Sequence, residues 1–134
     1  MAKKDPFKIT EKSIHIAVCD YLRAQYPHVI FTSDSSGARV SMGLRIEFEK
    51  KRCACYKVPD ILILHPTTKH FGLILEVKKS IKDVYKKDGS FLKSEHLQAQ
   101  WESILRLRDL GYSSDFGCGF VHCCDLIDKY MALA

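Results

Sequence analysis

Apolar residues at Ile14, Ala17, Val18, Tyr21 and Leu22 recur at i, i+3 and i+4, which predicts an amphipathic helix over residues 10–25. Thr10 is placed to cap it, Ile9 and Ile14 are spaced as a hydrophobic staple, and Pro27 stops the last turn. Glu11 departs from the pattern: its carboxylate lies along the apolar stripe, where a first-turn interaction with the helix dipole is one explanation. Residues 29–33 read as a short strand and the small residues of 34–43 as a loop. Apolar runs at 60–64 and 71–78 flank a turn at 66–69 and predict a hairpin of buried strands. A polar, lysine-rich loop over 79–93 leads to a helix over 94–110, with Leu97, Trp101, Ile104, Leu105 and Arg108 on one face and Gly111 as a left-handed cap. Phe116, Cys118 and Phe120 alternate in a strand over 115–121 that the glycines mark for close contact with a neighbour. A last helix over 124–132 packs Leu126, Ile127, Tyr130 and Met131.

Composition narrows this picture without changing it. A chain of 134 residues has room for one domain, so residues 1–134 are expected to share one core. With 46% hydrophobic and 28% charged residues, the composition excludes a disordered tail or a fibre. The apolar runs are far shorter than the roughly 20 residues that cross a bilayer, so no membrane span is expected. The N-terminus lacks the pattern of a secretory signal, which points to a cytoplasmic protein whose six cysteines are free thiols. A formal charge of +5 is of the sign that suits a polyanionic partner. Its basic residues cluster before the hairpin, at Arg39, Arg45, Lys50, Lys51, Arg52 and Lys57, and again in the loop after it, from Lys79 onward. Such clusters are also found on ordinary solvated faces.

The hairpin carries charges that a buried strand should avoid, because an unpaired ion in a low-dielectric interior is costly. Strand alternation puts Glu76 and Lys78 on one face and Leu75 and Val77 on the other. If the turn centres near Thr68, antiparallel partners have residue numbers summing to 136, and Asp60 falls opposite Glu76. Facing carboxylates repel unless a cation lies between them. Mg²⁺ is the economical candidate, since it prefers oxygen ligands and is commonly held by one or two carboxylates with retained waters. Lys78 beside such a site suits metal-assisted phosphodiester hydrolysis, and a salt bridge from Lys78 to either acid is the simpler alternative.

Pro59-Asp60, fifteen residues, then Glu76-Val77-Lys78 resembles the PD-(D/E)xK nuclease signature. The surrounding sequence, residues 72–79, the lysine-rich loop, Ala99-Gln100-Trp101 and residues 107–112, resembles the VRR-NUC branch, particularly its small stand-alone phage-type members. The resemblance implies an α/β restriction-endonuclease-like core of αβββαβ order plus a C-terminal helix, with a mixed central sheet flanked by helices. It implies a Mg²⁺-dependent endonuclease in which Mn²⁺ can substitute. Asp60, Glu76 and the Val77 carbonyl would be metal ligands, Lys78 the catalytic lysine, Glu11 the family's first-helix acid, and Gln100 its second-helix glutamine. Gln98 is the lesser candidate for that glutamine, and relatives place a tryptophan three residues after it, where this chain has Ser103 if Gln100 is chosen. Branched DNA, either flaps or four-way junctions, is the substrate the resemblance implies, and a homodimer would follow from the two-fold symmetry of a junction. Arg39, Lys51, Arg52 and Lys79 are expected phosphate contacts.

Two other readings remain at this point. A nucleic-acid-binding module could keep the nuclease fold without catalysis. Alternatively, Cys53, Cys55, Cys118, His122, Cys123 and Cys124 could in part form a zinc site, although their spacing lacks the two clean pairs such sites show.

Overall fold

The hairpin forms the centre of the fold. In the computed structural model, which describes residues 8–34 and 40–134, β2 (Ile61–Ile63) and β3 (Leu73–Lys78) pair antiparallel. Ile61 faces Leu75, Leu62 faces Ile74 and Ile63 faces Leu73, the register expected from a turn centred on Thr68. β1 (Phe31–Ser33) adds antiparallel to β2, and β4 (Ser113–Cys118) adds parallel to β3, giving one mixed sheet in the order β1-β2-β3-β4. The parallel step needs a crossover, which α3 (Glu95–Asp109) supplies.

Helices cover both faces. Leu73, Leu75 and Val77 join Ile61 and Ile63 against Ile14, Val18 and Leu22 of α1 (Glu11–Gln25) and Cys123, Ile127 and Tyr130 of α4 (Phe120–Met131). Each such aliphatic side chain contributes about 1.5–3 kcal/mol on burial. On the opposite face, Phe116 packs with Leu97 and Ile104 of α3 and with Val84. Alternation along β3 therefore sends Glu76 and Lys78 towards α3, into a smaller and partly polar layer. Gly117 lets β4 approach α4: a Cβ there would lie 2.3 Å from Cys123 Sγ. This is the close contact expected of that strand.

Several sequence expectations need correction. A helix not foreseen, α2 (Met42–Lys50), starts at the Ser41 cap and buries no side chain, so its apolar residues give no clean stripe to read. The lysine-rich loop contains a single 3₁₀ turn (Ile81–Asp83) and a Tyr85–Phe91 bridge, with Val84 fully buried beneath them. On α3 the buried face is Leu97, Gln100, Ser103 and Ile104, while Leu105 is 41% exposed. Arg108 lies instead over the Trp101 ring and donates from Nε to the Ser114 carbonyl. Phe120 opens α4 rather than extending the strand, because Gly119, at φ 94°, breaks the chain between them. Ile9 is exposed and forms no staple; the Thr10 cap is closed by reciprocal hydrogen bonds with Ser13. No helix among the described residues is long and apolar enough to cross a membrane.

Candidate active site

Continuing the β2–β3 register by one residue brings Asp60 across from Glu76, at the end of the hairpin remote from its turn. Asp60 Oδ2 accepts a hydrogen bond of 2.8 Å from the Val77 N–H, which ties the loop before β2 to β3. Glu76 is 7% exposed and lies opposite Asp60. Gln100 Nε2 donates to Glu76 Oε1 at 2.8 Å. Burial, followed by the Asp60 charge, pushes the Glu76 pKa well above the carboxylate range, against the opposing pull of Lys78 and Lys57. Two neighbouring carboxyls can share a proton, and the shift falls on Glu76, the more buried of the two.

Lys78 is 6% exposed and sits with Nζ 5.9 Å from the centre of the Phe116 ring. It forms no salt bridge among the described residues, so the simple ion-pair alternative is not formed. Glu11 overhangs the same end of β3. Burial is the main cause of its raised pKa, which Asp60 and Asp83 push further up and Lys78 pulls down. Glu11 thus lies along the apolar stripe because the stripe packs on the sheet and its first turn reaches the acidic pair.

The residues fit a hard divalent cation. The two acids face each other at the cost of a raised Glu76 pKa, and a cation between them would offset the charge that raises it. No group of three His, Cys, Asp or Glu side chains gathers to hold a metal among the described residues. The donor set is therefore a carboxylate pair, of the kind Mg²⁺ completes with water and backbone oxygen, rather than a closed zinc cage. Cys53 and Cys55 are exposed, Cys123 and Cys124 are buried, and all six cysteines are free thiols, so the zinc alternative is not assembled. Burial pushes the Cys123 thiol up to about 12.

Gln100 is 4% exposed and reaches Glu76, whereas Gln98 is exposed; of the two glutamines, only Gln100 joins the site. Trp101 instead stacks on Phe116 in the layer behind it. Of the expected phosphate contacts, Lys79 is exposed directly beside Lys78. Lys51 pairs with Glu47 at 2.9 Å, and Arg52 stands 3.9 Å from Asp34 and over the Phe48 ring. Arg39 lies outside the described residues. Of two surface clefts, one along the start of α3 from Phe91 to Glu102 is lined in part by Gln98 and one lies between Tyr112 and Tyr130; neither contains Asp60, Glu76, Lys78, Gln100 or Lys79.

Two neighbours of the site escaped the sequence reading. His96 contacts Gln100 through Nε2 at 3.1 Å and Lys57 through Nδ1 at 3.3 Å. The i, i+4 spacing of His96 and Gln100 was the available signal. Lys57 was counted only as one of a basic cluster, and its backbone N–H is held by Ser103 Oγ at 3.1 Å.

A solved structure described as a VRR_NUC domain protein matches this fold with a TM-score of 0.64, covering 94% of this chain and 91% of the other at 18% identity. No protein-family model and no curated protein matches the sequence. The structural likeness shows that this chain shares the fold of that VRR_NUC domain protein, in agreement with the αβββαβ core expected from the sequence.

Proposed function

We propose that this protein is a Mg²⁺-dependent DNA endonuclease, with Mn²⁺ able to substitute, acting on branched or flap-containing DNA. The observation that carries the proposal is the placing of Asp60 opposite Glu76 beside a buried lysine, at the hairpin end of a fold shared with a VRR_NUC domain protein. Asp60, Glu76 and the Val77 carbonyl are the groups that would hold the ion. Bound there, it would supply Lewis-acid polarisation of a phosphoryl oxygen and lower the pKa of an attacking water.

The chain's own residues do the rest. Lys78 offers a fixed ammonium to charge developing on the phosphate, and its burial makes that interaction stronger than it would be in water. Gln100 orients Glu76, and Glu11 adds a further carboxyl within electrostatic reach of Asp60 and Lys78. Lys79, Lys51, Arg52 and Arg39 would meet the DNA backbone, where contacts give affinity and no sequence code. That suits recognition of DNA shape, and cleavage of a four-way junction would take two sites in a homodimer.

The test is a panel of duplex, flap and four-way-junction DNA incubated with the protein in Mg²⁺, Mn²⁺ or chelator. Cleavage of branched substrates that stops on chelation is expected. Cleavage that survives chelation contradicts the proposal. Tight binding with no cleavage in either ion supports the non-catalytic binding module instead.

A further inference from the structure

The hydrogen bonds drawn around His96 cannot all be made at once. Its Nδ1 is 3.3 Å from Lys57 Nζ, its Nε2 is 3.1 Å from Gln100 Nε2, and that amide nitrogen is also 2.8 Å from Glu76 Oε1. An ammonium and an amide NH₂ only donate, whereas a neutral imidazole has one accepting nitrogen and a charged one has none. Partial burial of the ring and the neighbouring Lys57 and Lys78 lower the His96 pKa, which favours the neutral ring. One of the two contacts on the ring must therefore yield.

Their surroundings decide which. Lys57 is exposed, so its ammonium can turn to water at little cost. Gln100 is buried and has no such freedom. Reversing its amide would set an oxygen against an ionised Glu76 and leave the NH₂ in the buried position where Oε1 now lacks a partner. With Glu76 ionised, the consistent arrangement has Gln100 Nε2 donating to both Glu76 and His96. His96 then accepts on Nε2 and carries its proton on Nδ1.

We propose that His96 is the positioning residue that holds the Gln100 amide with its NH₂ towards Glu76. This inference rests on Glu76 acting as an ionised cation ligand. Without the His96 acceptor, the Gln100 amide loses one of its two anchors and can reverse, and Glu76 loses an oriented donor. Outer-sphere partners of this kind are read most directly in metal affinity.

The experiment compares wild type with His96→Leu and His96→Gln; His96 is exposed, so neither change removes a core contact. Gln offers a carbonyl at about the reach of imidazole Nε2, whereas Leu offers no acceptor. Nitrogen-15 NMR of the Mg²⁺-loaded wild type is expected to show the Nδ1–H tautomer of His96. Calorimetric titration with Mn²⁺ is expected to show affinity weakened about tenfold in the Leu variant and restored to within about twofold in the Gln variant. The Mg²⁺ concentration for half-maximal cleavage should rise in parallel, with DNA affinity in chelator unchanged. An Nε2–H tautomer, or a Leu variant that binds Mn²⁺ as tightly as wild type, overturns the role of His96 alone. A wild type that binds no Mn²⁺ overturns the nuclease reading as well.

Discussion

Glu76→Gln separates the cost of the acidic pair from its use. In the unfolded chain this carboxyl ionises near 4.5, whereas burial and Asp60 hold it well above that in the metal-free fold. Between those two values the folded state binds the extra proton, so this residue's contribution to stability is fully present below 4.5 and is lost as the pH rises. At pH 7, roughly 2.5 units above the unfolded value, the loss reaches at most about 3 kcal/mol at 1.36 kcal/mol per unit. Gln has no proton to lose, and its amide oxygen can still accept from Gln100. In chelator the variant should therefore melt higher than wild type by up to roughly 10 °C at pH 7, with the gap closing towards pH 4.5. Mg²⁺ should raise the melting temperature of wild type at pH 7–8 and leave the variant unmoved. Scanning calorimetry at pH 5, 7 and 8, with chelator and with Mg²⁺, reads all of these. A variant less stable than wild type at pH 7, or a difference independent of pH, would refute the reasoning that the two carboxyls are held together against their charge.

Lys78→Met keeps the buried stem over Phe116 and removes the ammonium; cleavage should fall about 10²–10⁴-fold in single-turnover assays while Mn²⁺ binding persists. Gly117→Ala puts a Cβ 2.3 Å from Cys123 Sγ and should destabilise the fold by about 1–3 kcal/mol in urea unfolding. Adding Cys123→Ala should recover part of that loss, and strict additivity of the two costs would contradict the contact. Lys79→Ala should reduce the salt slope of DNA binding by about one, and Lys51→Ala, whose ammonium is already paired with Glu47, should change it less.

The hairpin register was legible because two apolar runs of opposite direction leave one way to keep Leu75 and Val77 in the core, and that register alone brought Asp60 to Glu76. α1 was legible for the same reason, since Ile14, Val18 and Leu22 all face the sheet. α2 was not, because a helix with no buried side chain has no periodic requirement to display. The face of α3 was misjudged where polar residues are buried for their partners: Gln100 serves Glu76, and Ser103 holds the Lys57 N–H. Helical spacing pointed to Leu105 and Arg108 in their place. The lysines between Lys79 and Lys93 hid the cluster of Val84, Tyr85, Phe91 and Leu92, whose apolar positions follow neither strand nor helix spacing. His96 was missed because its i, i+4 neighbour Gln100 gains a role only when α3 packs on β3, and its other partner, Lys57, is distant in the chain.

The central claim is that Asp60 and Glu76 hold the catalytic cation. Anomalous diffraction from crystals soaked in Mn²⁺ tests it most directly, in wild type and in Asp60→Ala. One strong peak within coordination distance of both carboxylates in wild type, lost in the variant, is the expected result. A saturating soak that leaves no peak between them, or that places the ion elsewhere in the fold, would contradict it.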